Sequence, residues 1–194
     1  MSRVASTTPP EGSAIPERHP LAPATGTKVP SHYGHCFGCG ELHPTGLHLV
    51  AHVGEGATIT AEFTVTENHQ GAPGLAHGGL LSLAFDEALG KLMWLLRSPA
   101  VTARLETDFI RPVPLGTTLF ITAEITGQVN RKVYSAAIGR LGSPDGEIAV
   151  RAAALFVIVP MSHFLTKAPE GFLKEVAKNP ELLAFVDPEF EINP

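Results

Sequence analysis

The sequence predicts an α+β fold in which one antiparallel sheet of about five to six strands curls around a single long central helix. Three observations predict it. The segment Gly79 to Leu96 is apolar nearly all round, so a helix there must be buried nearly all round. The segment Thr58 to Thr66 alternates with period two: Ala57, Ile59, Ala61, Phe63 and Val65 face one way, and Thr58, Thr60, Glu62 and Thr64 the other. After the helix, four strand candidates are separated only by short turns, which favours antiparallel hairpins.

Taken in order, residues 1–30 contain six prolines, several Ser and Thr, and no periodicity. They read as a disordered or loosely attached arm. Residues 31–45 form a compact loop with His, Cys and Gly, and Gly46 to Val53 gives a weak strand before the strong one at 58–66. In the helix, Glu87 and Lys91 are one turn apart and suit an ion pair at a surface edge. Pro99 marks the stop. Strands follow at about 101–111, 117–129, 131–142 and 146–159. The junctions Pro112–Gly116, Asn130 and Ser143–Gly146 carry turn chemistry. The pattern ends after Pro160, and residues 169–187 suit one or two short helices in a C-terminal appendage. The organisation is therefore an arm over 1–30, one domain over 31–160, and an appendage over 161–194.

Composition bounds the function. At 194 residues and 44% hydrophobic, the chain holds one domain with a real core. A net charge of −5 with no basic run disfavours nucleic acid. The apolar run Ala152–Val159 is too short to span a bilayer, and the N-terminus lacks a signal-peptide core, so a cytoplasmic protein is expected. Two cysteines three positions apart give no disulfide framework.

The chemistry concentrates in Gln70-Gly71-Ala72-Pro73-Gly74-Leu75-Ala76-His77-Gly78-Gly79 and the helix behind it. Backbone N–H groups at a helix start have no intrahelical partners and sit at the positive end of the dipole. Gly78 and Gly79 can therefore hold a carbonyl oxygen that becomes negative during reaction, although glycine also simply permits a tight loop-to-helix turn. Asp86 is a carboxylate in an apolar helix, which is costly without a job or a partner. It can act as general base or as nucleophile. Ser82, one turn earlier on the same face, can hydrogen-bond it. Asp86 lies eight residues past Gly78, about 12 Å along one helix. A water held by Asp86 cannot easily attack a carbonyl held at Gly78 of the same helix. An antiparallel partner helix solves this, so a two-fold dimer with composite sites is expected.

Cys36 and Cys39 offer half a zinc site, with His35, His43 and His48 nearby in sequence. Only three residues separate Cys39 from His43, too few for an ordinary second ligand pair. A reduced loop packed by Phe37 is expected instead, with no metal.

The layout and motifs resemble the hotdog-fold thioesterase superfamily, in its PaaI-like branch of acyl-CoA thioesterases. The resemblance covers about residues 35–160. It rests on His77-Gly78-Gly79, Asp86 nine positions after the histidine, Thr102 opening the next strand, Phe109-Ile110-Arg111-Pro112-Val113-Pro114-Leu115-Gly116, and the leader Cys36-Phe37-Gly38-Cys39-Gly40 before Gly46-Leu47. The branch often has Asn before the leader proline; here it is His43.

The resemblance implies an acyl-CoA thioesterase that releases free acid and CoA, a homodimer at minimum and further paired into a tetramer, with no cofactor beyond the CoA of its substrate. It selects Asp86 as the catalytic carboxylate and Gly78 as the oxyanion donor, with Gly79 allowing close approach of the ligand. His77 would orient the loop or touch the carbonyl, and Gln70 would hold water or substrate. Thr102 would bond the water or Asp86. Arg111, Arg131 and Lys132 would meet the CoA phosphates. Alternatives are a hotdog hydratase or dehydratase, a non-catalytic acyl-CoA or lipid-binding module, and a small zinc-binding interaction protein.

Overall fold

The computed structural model describes residues 5–160 and 162–165. Seven strands form one sheet: β1 (Lys28–Val29), β2 (Val50–Val53), β3 (Thr58–Thr64), β6 (Ala100–Phe109), β7 (Thr118–Val129), β8 (Lys132–Leu141) and β9 (Ile148–Ile158). Their order is β1-β2-β3-β7-β8-β9-β6, and every neighbouring pair is antiparallel. A two-stranded ribbon, β4 (Gln70–Ala72) with β5 (Leu75–Ala76), stands apart from the sheet. Helix α1 (Gly78–Gly90) packs across the sheet against β3 and β6 to β9.

The expected layout of strands wrapped around a central helix is present, and the architecture is that of the hotdog fold. The alternation read at residues 58–66 is the burial pattern of β3, whose Ile59, Ala61 and Phe63 are buried. Likewise Leu119, Ile121, Ala123 and Ile125 of β7 point inward. Leu81, Ala84, Phe85, Ala88 and Leu89 of α1 fill the space between helix and sheet. Phe85 reaches the sheet at Gly139, where an added Cβ would lie 2.6 Å from the ring, so only glycine fits beneath it.

The single long helix expected over 79–96 is divided. α1 ends at Gly90, the poorest non-proline helix former. Lys91 and Leu92 make a turn, and α2 (Met93–Leu96) follows. Arg97 then takes a left-handed conformation with φ 49° and closes the run.

The described part of the N-terminal arm lies against the domain. Val29 is buried in β1, and Gly26 N–H donates to Val53 O while Val53 N–H donates to Thr27 O. Thr7 donates to Glu106 Oε2 at 2.6 Å, and His19 N–H to Leu95 O at 2.9 Å. The expected boundary at residue 30 thus cuts behind an edge strand of the sheet. Two-residue strands carry no periodicity, which is why β1 left no trace in the sequence. Of the expected appendage, Ser162–Leu165 forms α3; the helices expected over 169–187 lie outside the described residues. Among the described residues, no helix is long and apolar enough to cross a membrane.

Candidate active site

The Gly-rich loop becomes a ribbon that delivers the start of α1. Gly74 adopts φ 80° at its turn, and the Gln70 side chain closes that turn by accepting from Gly74 N–H at 2.8 Å. That bond uses only Gln70 Oε1 and leaves the amide NH2 exposed. Buried His69 anchors the ribbon: its Nδ1 accepts from Thr66 N–H, its Nε2 lies 3.2 Å from Gly46 O, and its carbonyl accepts from His77 N–H. Gly71 lies so close that an added Cβ would sit 2.6 Å from His77 Cα.

His77 is the N-cap of α1, and its Nδ1 accepts from Gly79 N–H at 2.9 Å. Gly79 N–H is already bonded, whereas Gly78 N–H has no hydrogen-bond partner among the described residues. Gly78 therefore presents a free donor at the positive end of the helix. The Phe109 ring stands beside it, 3.4 Å from where a Gly78 Cβ would be.

Asp86 is half-buried, and Thr102 Oγ1 donates to its Oδ1 at 2.7 Å. The bond bridges α1 and β6, leaving Oδ2 for another donor. Burial pushes the Asp86 carboxyl above the ordinary aspartate range, and the Thr102 bond pulls it partly back. Ser82 makes no hydrogen bond to Asp86; that partner comes from the sheet instead. Gly78 and Asp86 lie about two turns apart on one helix, so within this chain they do not meet at one reacting atom.

The three basic candidates do not form one patch. Arg111 follows β6 and is held by Ile148 O and Glu147, at 2.8 and 3.2 Å. Arg131 and Lys132 lie at the β7–β8 turn. Strand β9 links the two places, pairing Val150 with Phe109 and Val157 with Lys132. Seven residues of strand put about 24 Å between them.

A second cluster was not foreseen. The Glu87–Lys91 pair exists at 3.2 Å, but Lys91 is only 2% exposed and donates to Pro30 O. It is an interior pair under the leader loop, not a surface edge. Cys36 Sγ lies 3.4 Å from Glu87 Oε2, and Cys39 Sγ lies 3.4 Å from His32 Nδ1. His32 and Glu87 were absent from the ligands weighed in the sequence, because Glu87 had a satisfying partner one turn away. Burial pushes the Glu87 carboxyl up, and the Lys91 charge opposes it.

Residues 73–139 match the thioesterase superfamily. Acyl-coenzyme A thioesterase THEM4 of Xenopus laevis is 31% identical over 88 residues, covering 45% of this chain and 39% of that protein. The Bos taurus THEM4 is 37% identical over 65 residues, covering 34% and 26%. The chain thus spans well under half the length of these curated relatives. Among solved structures, the thioesterase superfamily protein RHA08564 superposes with a TM-score of 0.58 at 28% identity, over 71% of this chain and 70% of that one. The PaaI protein of E. coli, from the phenylacetic acid degradation operon, shares the fold with a TM-score of 0.54 at 19% identity, over 58% and 80%.

Proposed function

We propose that this chain, whose residues 73–139 match the thioesterase superfamily, hydrolyses acyl-CoA thioesters in the manner of the PaaI-like branch. The observation that carries the reading is the pairing of an unbonded Gly78 N–H with an Asp86 carboxylate held by Thr102, both on α1. Gly78 N–H donates to the thioester carbonyl oxygen and stabilises the negative charge that grows there. The ionised Asp86 uses its free oxygen to take a proton from water, which attacks the carbonyl carbon, or it attacks that carbon itself. The tetrahedral intermediate collapses, the carbon–sulfur bond breaks, and CoA leaves as its thiolate; where Asp86 is the attacking group, a water then cleaves the acyl–Asp86 anhydride and releases the acid. Arg111 of one chain and Arg131 and Lys132 of another are the cations offered to the CoA phosphates.

The two halves of the machinery belong to different copies of the chain. Strand β6 supports this: among the described residues it pairs in the sheet only with β9, so no strand lies along its other edge. At its end Phe109 is 54% exposed and Ile110 42%. Unpaired edges of this length are templates for a second copy. A homodimer joined there is the minimal active unit, and a tetramer is two such dimers.

The test mixes two disabled chains: Asp86→Asn, and Gly78→Pro, which removes the donating N–H. Heterodimers regain one working site each, so mixing restores thiol release from acyl-CoA well above either parent. Mixed dimers that form and stay as inactive as their parents overturn the composite site.

A further inference from the structure

We propose that His32, Cys36, Cys39 and Glu87 bind a structural zinc ion that fastens the leader loop to α1. One ligand atom from each of these residues lies within 4.8 Å of all the others. A tetrahedral zinc with Zn–S near 2.3 Å and Zn–N or Zn–O near 2.0–2.1 Å sets its ligands about 3.3–3.8 Å apart. Three contacts in the cluster fall in that range: 3.4 Å from Cys36 Sγ to Glu87 Oε2, 3.4 Å from Cys39 Sγ to His32 Nδ1, and 3.7 Å from His32 Nδ1 to the other carboxylate oxygen, Glu87 Oε1. Two sulfurs, one imidazole and one carboxylate form a set of four, half of it soft thiolate, which is donor chemistry that zinc accepts.

The backbone is shaped around the same point. An added Cβ at Gly40 would lie 2.4 Å from Gly34 O and 2.5 Å from Cys36 N, and one at Gly38 would lie 2.5 Å from Glu87 Oε2. The loop backbone therefore leaves no room for a side chain at Gly40, and at Gly38 a side chain would have to displace the Glu87 carboxylate. Outer partners are in place. Lys91 Nζ is 3.2 Å from Glu87 Oε1, and Ser31 Oγ is 3.3 Å from Cys39 Sγ. The charges balance as well. Two thiolates and one carboxylate against Zn2+ leave one negative charge, and the buried Lys91 ammonium cancels it.

Such an ion joins residues 51 apart in sequence, from Cys36 to Glu87, and its binding free energy adds to folding. It takes no part in hydrolysis. Glu87 follows Asp86 but is rotated about 100° from it around the helix, and four protein ligands leave no open position for water or thioester.

The experiment uses the full chain without a metal-binding tag, purified under reducing conditions. Elemental analysis is expected to find one zinc per chain. After removal with a chelator, cobalt(II) is expected to give the visible bands of a tetrahedral cobalt thiolate, saturating at one equivalent, and zinc to raise the melting temperature. His32→Ala changes an exposed position and keeps the fold, yet weakens zinc binding at least about tenfold. Two results overturn the proposal: a reduced, folded parent chain that binds no zinc and gives no cobalt–thiolate bands, or a His32→Ala chain with parent zinc affinity. Thioesterase activity reads the hydrolytic site separately, so failure of either reading leaves the other measurable.

Discussion

Replacing Thr102 by Val removes a hydroxyl and keeps the shape of the side chain. In the parent, Thr102 Oγ1 donates to Asp86 Oδ1 at 2.7 Å. Hydrogen bonds to charged groups contribute about 1.5–3 kcal/mol. Thr102 is exposed in the single chain, so the lower end applies. Losing about 1.5 kcal/mol of orientation costs roughly tenfold in turnover. The pH dependence carries a signed expectation. Asp86 works in its ionised form, and burial raises its pKa above the ordinary aspartate range, so activity falls on acidification at a higher pH than for an ordinary aspartate. The Thr102 bond lowers the pKa, so its removal moves the acid limb of kcat/KM to still higher pH. The assay is continuous detection of released CoA with a chromogenic thiol reagent across the acid range, with KM measured at each pH. A folded Thr102→Val chain with parent turnover and an unmoved acid limb refutes the reasoning.

Gly71→Ala places a methyl group 2.6 Å from His77 Cα and should cost about 1–3 kcal/mol by overpacking. It should also lower activity by shifting the start of α1, and thermal melting with the thiol assay checks both effects. Removing residues 1–30 strips β1 and the buried Val29, whose burial contributes about 1.5–3 kcal/mol. The denaturant midpoint should fall accordingly, and an unchanged midpoint would show that the arm is dispensable.

The legible part of this protein was its periodic part. β3 and β7 alternate over enough residues to leave a pattern, and an all-apolar helix has only one place to go. The Gly78–Asp86 separation followed from helix rise alone. What stayed hidden depended on contacts far apart in sequence. Glu87 and Lys91 look the same whether their pair faces solvent or lies under a loop, and the loop that covers them arrives from Pro30 and Cys36. His32 carried no motif of its own. Gln70 closes the ribbon turn at Gly74, a contact within the loop that no sequence pattern marks. The distance between Arg111 and the Arg131–Lys132 pair is set by the length of β9, which no single residue reveals.

The central claim is that Asp86 performs thioester hydrolysis. Its most direct measurement is thiol release by Asp86→Asn across short, medium, long and aromatic acyl-CoAs, beside the parent chain. Asn keeps the size of the side chain but neither takes a proton nor attacks comparably. Turnover of the best substrate should fall at least about a hundredfold while acyl-CoA binding persists, because Gly78 N–H is untouched. A folded Asp86→Asn chain that releases CoA at the parent rate would contradict the account.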